Sequence, residues 1–579
     1  MKMVPSMDSG SRSTVTSKRK KETATSVREL KKANPPRRGK KIDADWWKNA
    51  VVYQIYPRSF KDANGDGIGD LEGIIQKLDY LNDGTPNSLG IDAIWLSPIY
   101  PSPMYDFGYD ISDYESIDPV FGNMDTFKRL LKEAHKRKIR IIMDLVANHT
   151  SHQHPWFLES KSSKDNPKRD WYIWKDPVNG KPPNNWMGTF GGRAWTLDKT
   201  TGQYYYHSFL AEQPDLNWRN PEVKKAIFSM VKNWLDMGVD GFRLDVVNLF
   251  VKDSELRSNP RKRWLARPFD QQNHIYDRDR PEMHDILKDL RKLLDSYGDR
   301  MSVGEVMMEP PGTSALPASY YGAKGDELHL AFNFAFFYTP WKAEKFRDVI
   351  KEWEKYLRDK GWPNYTLSNH DFRRHITRYS KGRETVARAK IAALMLLTLR
   401  GTPFLYYGEE LGMTDERVPK NRIQDPVGIR YWPVYPSRDN CRLPMCWSGD
   451  VNGGFSNGEP WLPVFSKYES VNVETQSRSI ESLLNFYKKL IWLRKGNEIL
   501  KKGTLALDYD SPPGVLQYTR EFEKKKCLII LNFENESKKI VANANRTAQI
   551  LISTHRKPEK MEIPVVFEIA PYEGLVLEY

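Results

Sequence analysis

Eight short apolar runs, spaced by stretches of helical periodicity, constrain this 579-residue chain more than any other feature. They fall at 51–56, 93–98, 139–146, 241–246, 301–306, 329–334, 365–370 and 404–408. Strands buried on both faces require runs this short and this apolar. The segments between them read as amphipathic helices, around 127–136 for example. Ahead of the fourth run, Asn220-Pro221 supplies a capping side chain and a proline at the first helical position. Val223, Ile227, Met230, Val231 and Trp234 then recur at helical spacing, and Gly238 ends the pattern. Helix, glycine and apolar strand make half of a β/α repeat. Eight repeats predict an α/β architecture, a parallel (β/α)8 TIM barrel.

Two stretches break the rhythm. Residues 149–215 are rich in Trp, Tyr, Gly and Pro with little helical periodicity. That is too long for a barrel loop and predicts an inserted subdomain after strand three. From 502 the helical pattern stops. Alternating segments at 515–519, 527–532, 539–542, 547–552 and 565–569 predict a C-terminal antiparallel β domain over 502–579. The barrel then takes 42–148 and 216–501.

The net charge of +14 suggests nucleic acid until it is located. Residues 1–41 hold 13 Lys and Arg against three Asp and Glu, which leaves only about +4 for the rest. That tail nearly lacks aliphatics and is expected to be a disordered basic extension with at most nonspecific contacts to nucleic acid. It has no apolar core of a secretory signal, and no run approaches membrane-spanning length. Cys441, Cys446 and Cys527 form neither a CxxC pair nor a disulfide framework, so free thiols in a reducing cytoplasm are expected. Aromatics make up 12% of the chain, with 18 Trp, and flat rings of this kind suit sugars as well as barrel packing.

In such a barrel, chemistry gathers at the carboxyl ends of the strands. Those ends carry 106–110, Asn148-His149, Asp245, Glu305 and His370-Asp371. Arg243 and Asp245 are two apart in a strand and share a face, where the guanidinium favours a charged carboxylate. Two carboxyls flanking a scissile bond are the machinery of glycoside hydrolysis. One attacks the anomeric carbon while the other protonates the leaving oxygen and then deprotonates water. A third carboxylate stabilises the oxocarbenium-like transition state. The competing reading is three buried structural acids.

A second signal is 62–70, where Asp62, Asn64, Asp66, the Ile68 carbonyl and Asp70 follow the oxygen spacing of an EF-hand loop, with Gly67 at the turn. Position twelve is Gly73 rather than Glu, and no flanking EF-hand helices appear. The expectation is an isolated structural Ca²⁺ site, with Mg²⁺ as the alternative ion; the rival reading is a metal-free Gly/Asp turn. His149 and His370 lack a third ligand at zinc spacing.

Five segments carry a family resemblance: Asp144-Leu145-Val146-Ala147-Asn148-His149, Gln213-Pro214-Asp215-Leu216-Asn217, Gly241-Phe242-Arg243-Leu244-Asp245, Val303-Gly304-Glu305 and Asn369-His370-Asp371. In order and spacing they resemble the α-amylase family of glycoside hydrolases, in its oligo-1,6-glucosidase and α-glucosidase branch. The resemblance runs from about residue 42 to the end. It implies Asp245 as nucleophile, Glu305 as general acid/base and Asp371 as transition-state stabiliser. It implies that Asp106 and Tyr109 hold the non-reducing glucose, with His149, Arg243 and His370 as further ring contacts. It implies that Arg442 pairs with Asp106 or the terminal sugar, and that Phe190, Phe209 and Gln213 line the pocket and its first leaving-group subsite. A closed pocket floor of this kind implies removal of one glucose at a time from small oligosaccharides or disaccharides, by a monomer or small oligomer. The same branch carries the Ca²⁺ loop after its first strand, and generally lacks the calcium site to which Asn148 would contribute.

Linkage stays open. Val246 after the nucleophile resembles branch members that accept α-1,6 bonds. Gln424-Asp425-Pro426-Val427-Gly428-Ile429-Arg430 resembles α-glucosidases of short α-glucosides that also transfer glucose. Phe372, Arg373 and Cys446 depart from the branch pattern, the first two where they would reshape the leaving-group subsite. The rivals are a sucrose isomerase or trehalose synthase with the same acids, an endo-amylase with an open cleft, a non-catalytic barrel, and a nucleic-acid-binding protein.

Overall fold

The computed structural model describes residues 43–579 apart from 263, 264, 266, 310, 311, 436 and 542–545. The basic tail expected over 1–41 lies outside the described residues.

The eight runs form one parallel sheet. In chain order its strands are Val52–Ile55, Ala93–Leu96, Arg140–Leu145, Gly241–Leu244, Met301–Gly304, Leu330–Ala331, Asn364–Thr366 and Thr402–Tyr406. The eighth pairs with both the seventh and the first, and pairing then runs in sequence to the sixth, every ladder parallel. The barrel is therefore nearly closed, with its seam between the sixth and seventh strands. The ladders stop short of the apolar runs because the runs continue onto the rim. The fourth strand ends at Leu244, and Val246 turns the chain back at φ +35°, a region β-branched residues rarely adopt. The Val247 N–H donating to the Glu305 carbonyl at 2.9 Å holds that turn.

Strand parity decides what enters the barrel. Val52, Ala93, Trp95, Ile142, Val303, Leu330 and Phe404 pack together inside it. Their neighbours Tyr53, Ile94, Leu96, Ile141, Phe242 and Leu244 join the outer core beneath the helices. A period of two then carries Asp144, Arg243, Asp245 and Glu305 inward at the carboxyl mouth. Outside, the helix Pro221–Met237 buries the apolar side chains read from the sequence, with the Asn220 side chain accepting from the Glu222 N–H and Gly238 ending it.

The chain between the third and fourth strands holds a helix, Pro155–Ser162, and a three-stranded sheet of Trp174–Lys175, Trp195–Leu197 and Tyr204–Tyr206. Its aromatic content is packing: Phe157 meets Tyr172, Trp174 and Tyr205 at centroid distances of 5.0 to 5.7 Å. Two more excursions have no counterpart in the sequence reading. One follows the fourth strand over 245–281, and one follows the eighth over 407–482 with the helix Pro426–Tyr431. Both are mostly turns and short helical segments, which carry no periodic signature.

After the helices Leu483–Gly496 and Glu498–Lys502 the chain is β. Thr504–Leu507, Val515–Phe522, Lys525–Asn532, Gly574–Glu578, Arg546–Ser553 and Lys560–Ile563 form one sheet in that order, and Lys538–Val541 pairs with Val566–Ile569. Thr504–Leu507, Lys560–Ile563 and Gly574–Glu578 are additional to the predicted segments. The first two are edge strands, only partly covered.

Candidate active site

A cavity of about 1230 Å³ opens at the carboxyl end of the barrel, with Asp245, Glu305 and Asp371 in its wall. Arg243 organises its floor. Only 1% exposed, it donates to Asp144 at 2.7 Å, to Asp245 at 2.8 Å and, through its other terminal nitrogen, to Glu305. One planar guanidinium thus holds both carboxylates that strand parity turns inward. Asp144, which had no individual role in the sequence reading, anchors Arg243 and in turn accepts from Trp95 Nε1 (3.1 Å) and the Tyr109 hydroxyl (3.2 Å).

The expected effect of Arg243 on Asp245 is only part of the balance. Burial raises the Asp245 carboxyl, Arg243 opposes it, and Asp144 adds to the rise, so the group stands at about 6. It remains ionised at neutral pH. Asp371 moves the other way. Burial raises it, but positive charge around it, from His370 when protonated in acid and from the guanidiniums of Arg438 and Arg442, outweighs that and holds it below the usual carboxylate range. His370 is driven by burial down to about 3 and is neutral. Gln54 donates to its Nδ1 at 2.8 Å, which turns Nε2 toward the Tyr109 hydroxyl (2.6 Å) and Asp371 (3.3 Å).

Asp106, Tyr109, His149, Phe190 and Phe209 also line the cavity. Asp110 shapes the Asp106 loop by accepting from the Tyr105 and Asp106 N–H groups and the Ser102 hydroxyl. Gln213, Arg243 and His370 lie behind the surface rather than on it. Gln213 contacts Asp106 (3.2 Å) and His149 (3.1 Å), and His149 also meets the Tyr109 carbonyl (3.0 Å). Phe190 and Phe209 stand 5.2 Å apart and pack with Val246, Leu249 and Val427.

The pairing of Arg442 with Asp106 is corrected. Arg442, 1% exposed, lies beneath the cavity and donates to Asp371 (2.9 Å) and the His370 carbonyl (2.8 Å). Arg438 takes the other role: it donates to Asp106 (2.8 Å), Asp371 (3.1 Å) and Asp425 (2.9 Å), and lies over the Phe190 ring at 4.7 Å. The turn Arg438–Cys441 is a 3₁₀ helix with Arg442 at its C-cap, so both arginines flank one short turn. Their shared motif holds no signal that singles out Arg438. Loops add wall residues: Arg267 from the excursion after the fourth strand, Glu309 after the fifth and Tyr338 after the sixth, which no motif announces, and Arg430 from the 424–430 segment. Phe372 packs on Phe337 and Phe334, and Arg373 pairs with Asp415.

Two further clusters bear on cations. Asn148 and Asp215 are joined by the buried ammonium of Lys252, at 2.8 Å and 2.5 Å, with the Leu249 carbonyl as its third acceptor. In the 62–70 loop, Asp62 accepts the Asn64, Gly65 and Gly67 N–H groups and the Ser456 hydroxyl. Asp66 accepts from Ile68, and Asp70 from Gly73 and Ala63. Among the described residues no group of three His, Cys, Asp or Glu stands close enough to hold a metal ion.

A barrel that brings two carboxylates onto one buried guanidinium, faces them with a third and closes the far side with an Arg–Asp bridge is the framework of a glycosidase. The comparisons agree. The alpha-amylase catalytic-domain model matches residues 54–503. An oligo-1,6-glucosidase of Parageobacillus thermoglucosidasius is 40% identical over 92% of this chain and 98% of its own. A probable alpha-glucosidase of Rhizobium meliloti is 42% identical over 86% and 90%. Among solved structures, an alpha-glucosyl transfer enzyme superposes with a TM-score of 0.86 at 39% identity, covering 92% of this chain and 99% of that one. The trehalulose synthase of Pseudomonas mesoacidophila gives 0.83 at 34%, over 92% and 99%. The chain belongs to the alpha-amylase family of glycoside hydrolases.

Proposed function

We propose that the protein is a retaining exo-α-glucosidase that removes terminal glucose from short α-glucosides and also transfers it. The observation that carries this reading is the shared hold of Arg243 on Asp245 and Glu305. Asp245, ionised at neutral pH, attacks the anomeric carbon as Glu305 protonates the leaving oxygen. Glu305 then takes a proton from water, or from a sugar hydroxyl in transfer. Asp371, backed by His370 at 3.3 Å, receives the hydroxyls of the distorted ring. The Asp106–Arg438 bridge closes the non-reducing end, which favours release of single glucose units. Val246, packed with the Phe190–Phe209 wall, supports acceptance of α-1,6 as well as α-1,4 bonds.

Two expectations from the sequence join this reading. The 62–70 loop presents only hard oxygen donors, and Asp66 and Asp70 keep lone pairs beyond their backbone bonds, which suits Ca²⁺, or Mg²⁺, in a structural role. The buried, unpaired Cys441, Cys446 and Cys527 suit a reducing cytoplasm.

Product analysis on maltose, isomaltose, sucrose and trehalose, with Asp245→Asn as control, tests the function. Free glucose lost in the variant is the expected result. Isomerised disaccharide without glucose would assign the protein to the isomerase type, and no turnover of any sugar would sink the enzymatic reading.

A further inference from the structure

The aromatic wall of the cavity is borne by the insertion, yet what fixes it comes from elsewhere. Phe190 sits in the tight loop 188–192, closed by the Gly191 N–H donating to the Gly188 carbonyl (2.9 Å) and the Gly188 N–H to the Gly192 carbonyl (3.0 Å). About 240 residues later in sequence, the helix Pro426–Tyr431 lies across that loop. Arg430 donates from one terminal nitrogen to the main-chain carbonyl of Phe190 at 3.2 Å and to that of Gly191. Tyr431 closes over the same point: a Cβ on Gly191, whose φ is +96°, would stand 2.1 Å from the tyrosine oxygen. The other end of the helix is tied to the glucose side of the cavity. Asp425 caps it through the Val427 and Gly428 N–H groups and accepts from Arg438, which bridges Asp106 and Asp371.

Resting on the α-glucosidase reading, we propose that Arg430 is a positioning residue for leaving-group recognition: it clasps the Phe190 loop to the helix Pro426–Tyr431 and sets the wall against which the departing sugar packs. The argument is one of anchoring. Phe190 touches its ring neighbours Phe209 and Arg438, and the Thr189 N–H donating to the Ser208 carbonyl (2.8 Å) ties the loop to its own insertion, but none of these contacts joins its main chain to the helix Pro426–Tyr431. Two successive carbonyls held by one terminal guanidinium nitrogen restrict the loop's freedom to slide. The clasp grips main chain, so it is indifferent to which side chains the loop carries. Arg430 touches none of the three carboxylates, so the glucose site itself does not depend on it.

This separates two readouts. α-Glucosyl fluoride fills the glucose site and departs as an ion too small to reach the wall, whereas a disaccharide needs both. Arg430→Gln is expected to lower kcat/KM for the preferred disaccharide by on the order of tenfold or more, as a wall misplaced by about 1 Å would, mainly through KM. Glucosyl fluoride hydrolysis should change by less than about twofold. Gly191→Ala, which forces the same contact from the other side, should give the same split. Arg430→Lys, which keeps one cationic nitrogen able to donate to both carbonyls, should restore part of the loss. Equal loss on both substrates in the soluble, folded variants, or undiminished disaccharide cleavage, would overturn the assignment. Failure of the unaltered protein to cleave either substrate would instead overturn the α-glucosidase reading on which it rests.

Discussion

The two sides of the cavity are held in place by different means. On the strand side, Asp144, Arg243, Asp245 and Glu305 project from adjacent ladders, and the alternation of each strand aims them inward. On the opposite side, Phe190, Arg430 and Arg438 ride on excursions and are positioned by contacts between segments far apart in the chain. The first kind of placement survives any sequence that keeps the strands. The second depends on particular donors and acceptors, and it is the side that faces the variable part of a substrate. Chemistry is fixed by the scaffold, and selectivity is left adjustable.

Substitutions can break this contrast or sharpen it. Asp245→Asn should cost on the order of 10⁴-fold or more in kcat, the scale of removing one member of a catalytic unit, with folding intact by circular dichroism. Residual turnover near the starting level would remove Asp245 from the role of nucleophile. Glu305→Gln should lower kcat on disaccharides by about 10²–10⁴-fold but much less on α-glucosyl fluoride, whose leaving group needs no proton. An equal loss on both would argue against Glu305 as the acid. On the loop side the effects should be smaller and fall on binding. Arg438→Lys loses the fork shared by Asp106, Asp371 and Asp425 and should reduce kcat/KM by about 10–100-fold, mostly in KM. A change in kcat alone would place Arg438 with the chemistry instead.

The pH profile tests the strand side again. Asp245 attacks only as the carboxylate, and its folded value is raised to about 6. The acid limb of the kcat/KM profile should therefore be centred near 6 and fall tenfold per pH unit below it. An acid limb centred near 4 would mean that Arg243, rather than burial, governs the group. The smallest effect is expected far from the cavity. Chelation should lower the melting temperature by a few degrees with no change in activity at 25 °C, as loss of a ligand bound only by the native state would. Identical melting curves with excess chelator and excess Ca²⁺ would remove the metal from the 62–70 loop.

The same contrast explains what was legible in the sequence. The barrel and its three carboxyls could be placed from apolar runs and the two-residue period, because ladders impose both. The capped helix Pro221–Met237 was legible for the same reason. Arg438 was not distinguishable from Arg442, since the two lie in one motif and only the helical turn between them decides which reaches Asp106. The excursions at 245–281 and 407–482 were invisible because turns leave no period to read. The net rise of Asp245 also escaped, for its neighbour Arg243 is visible in the sequence and its burial is not.

The ammonium of Lys252 carries a last consequence. It sits where the loop after the third strand, the end of the insertion and the turn after the fourth strand converge, neutralising Asp215 and satisfying Asn148. A charge tethered to the polypeptide can be neither diluted nor exchanged. The seam between insertion and barrel should thus hold equally well in any ionic medium, so that the floor of the glucose pocket owes nothing to the supply of free cations.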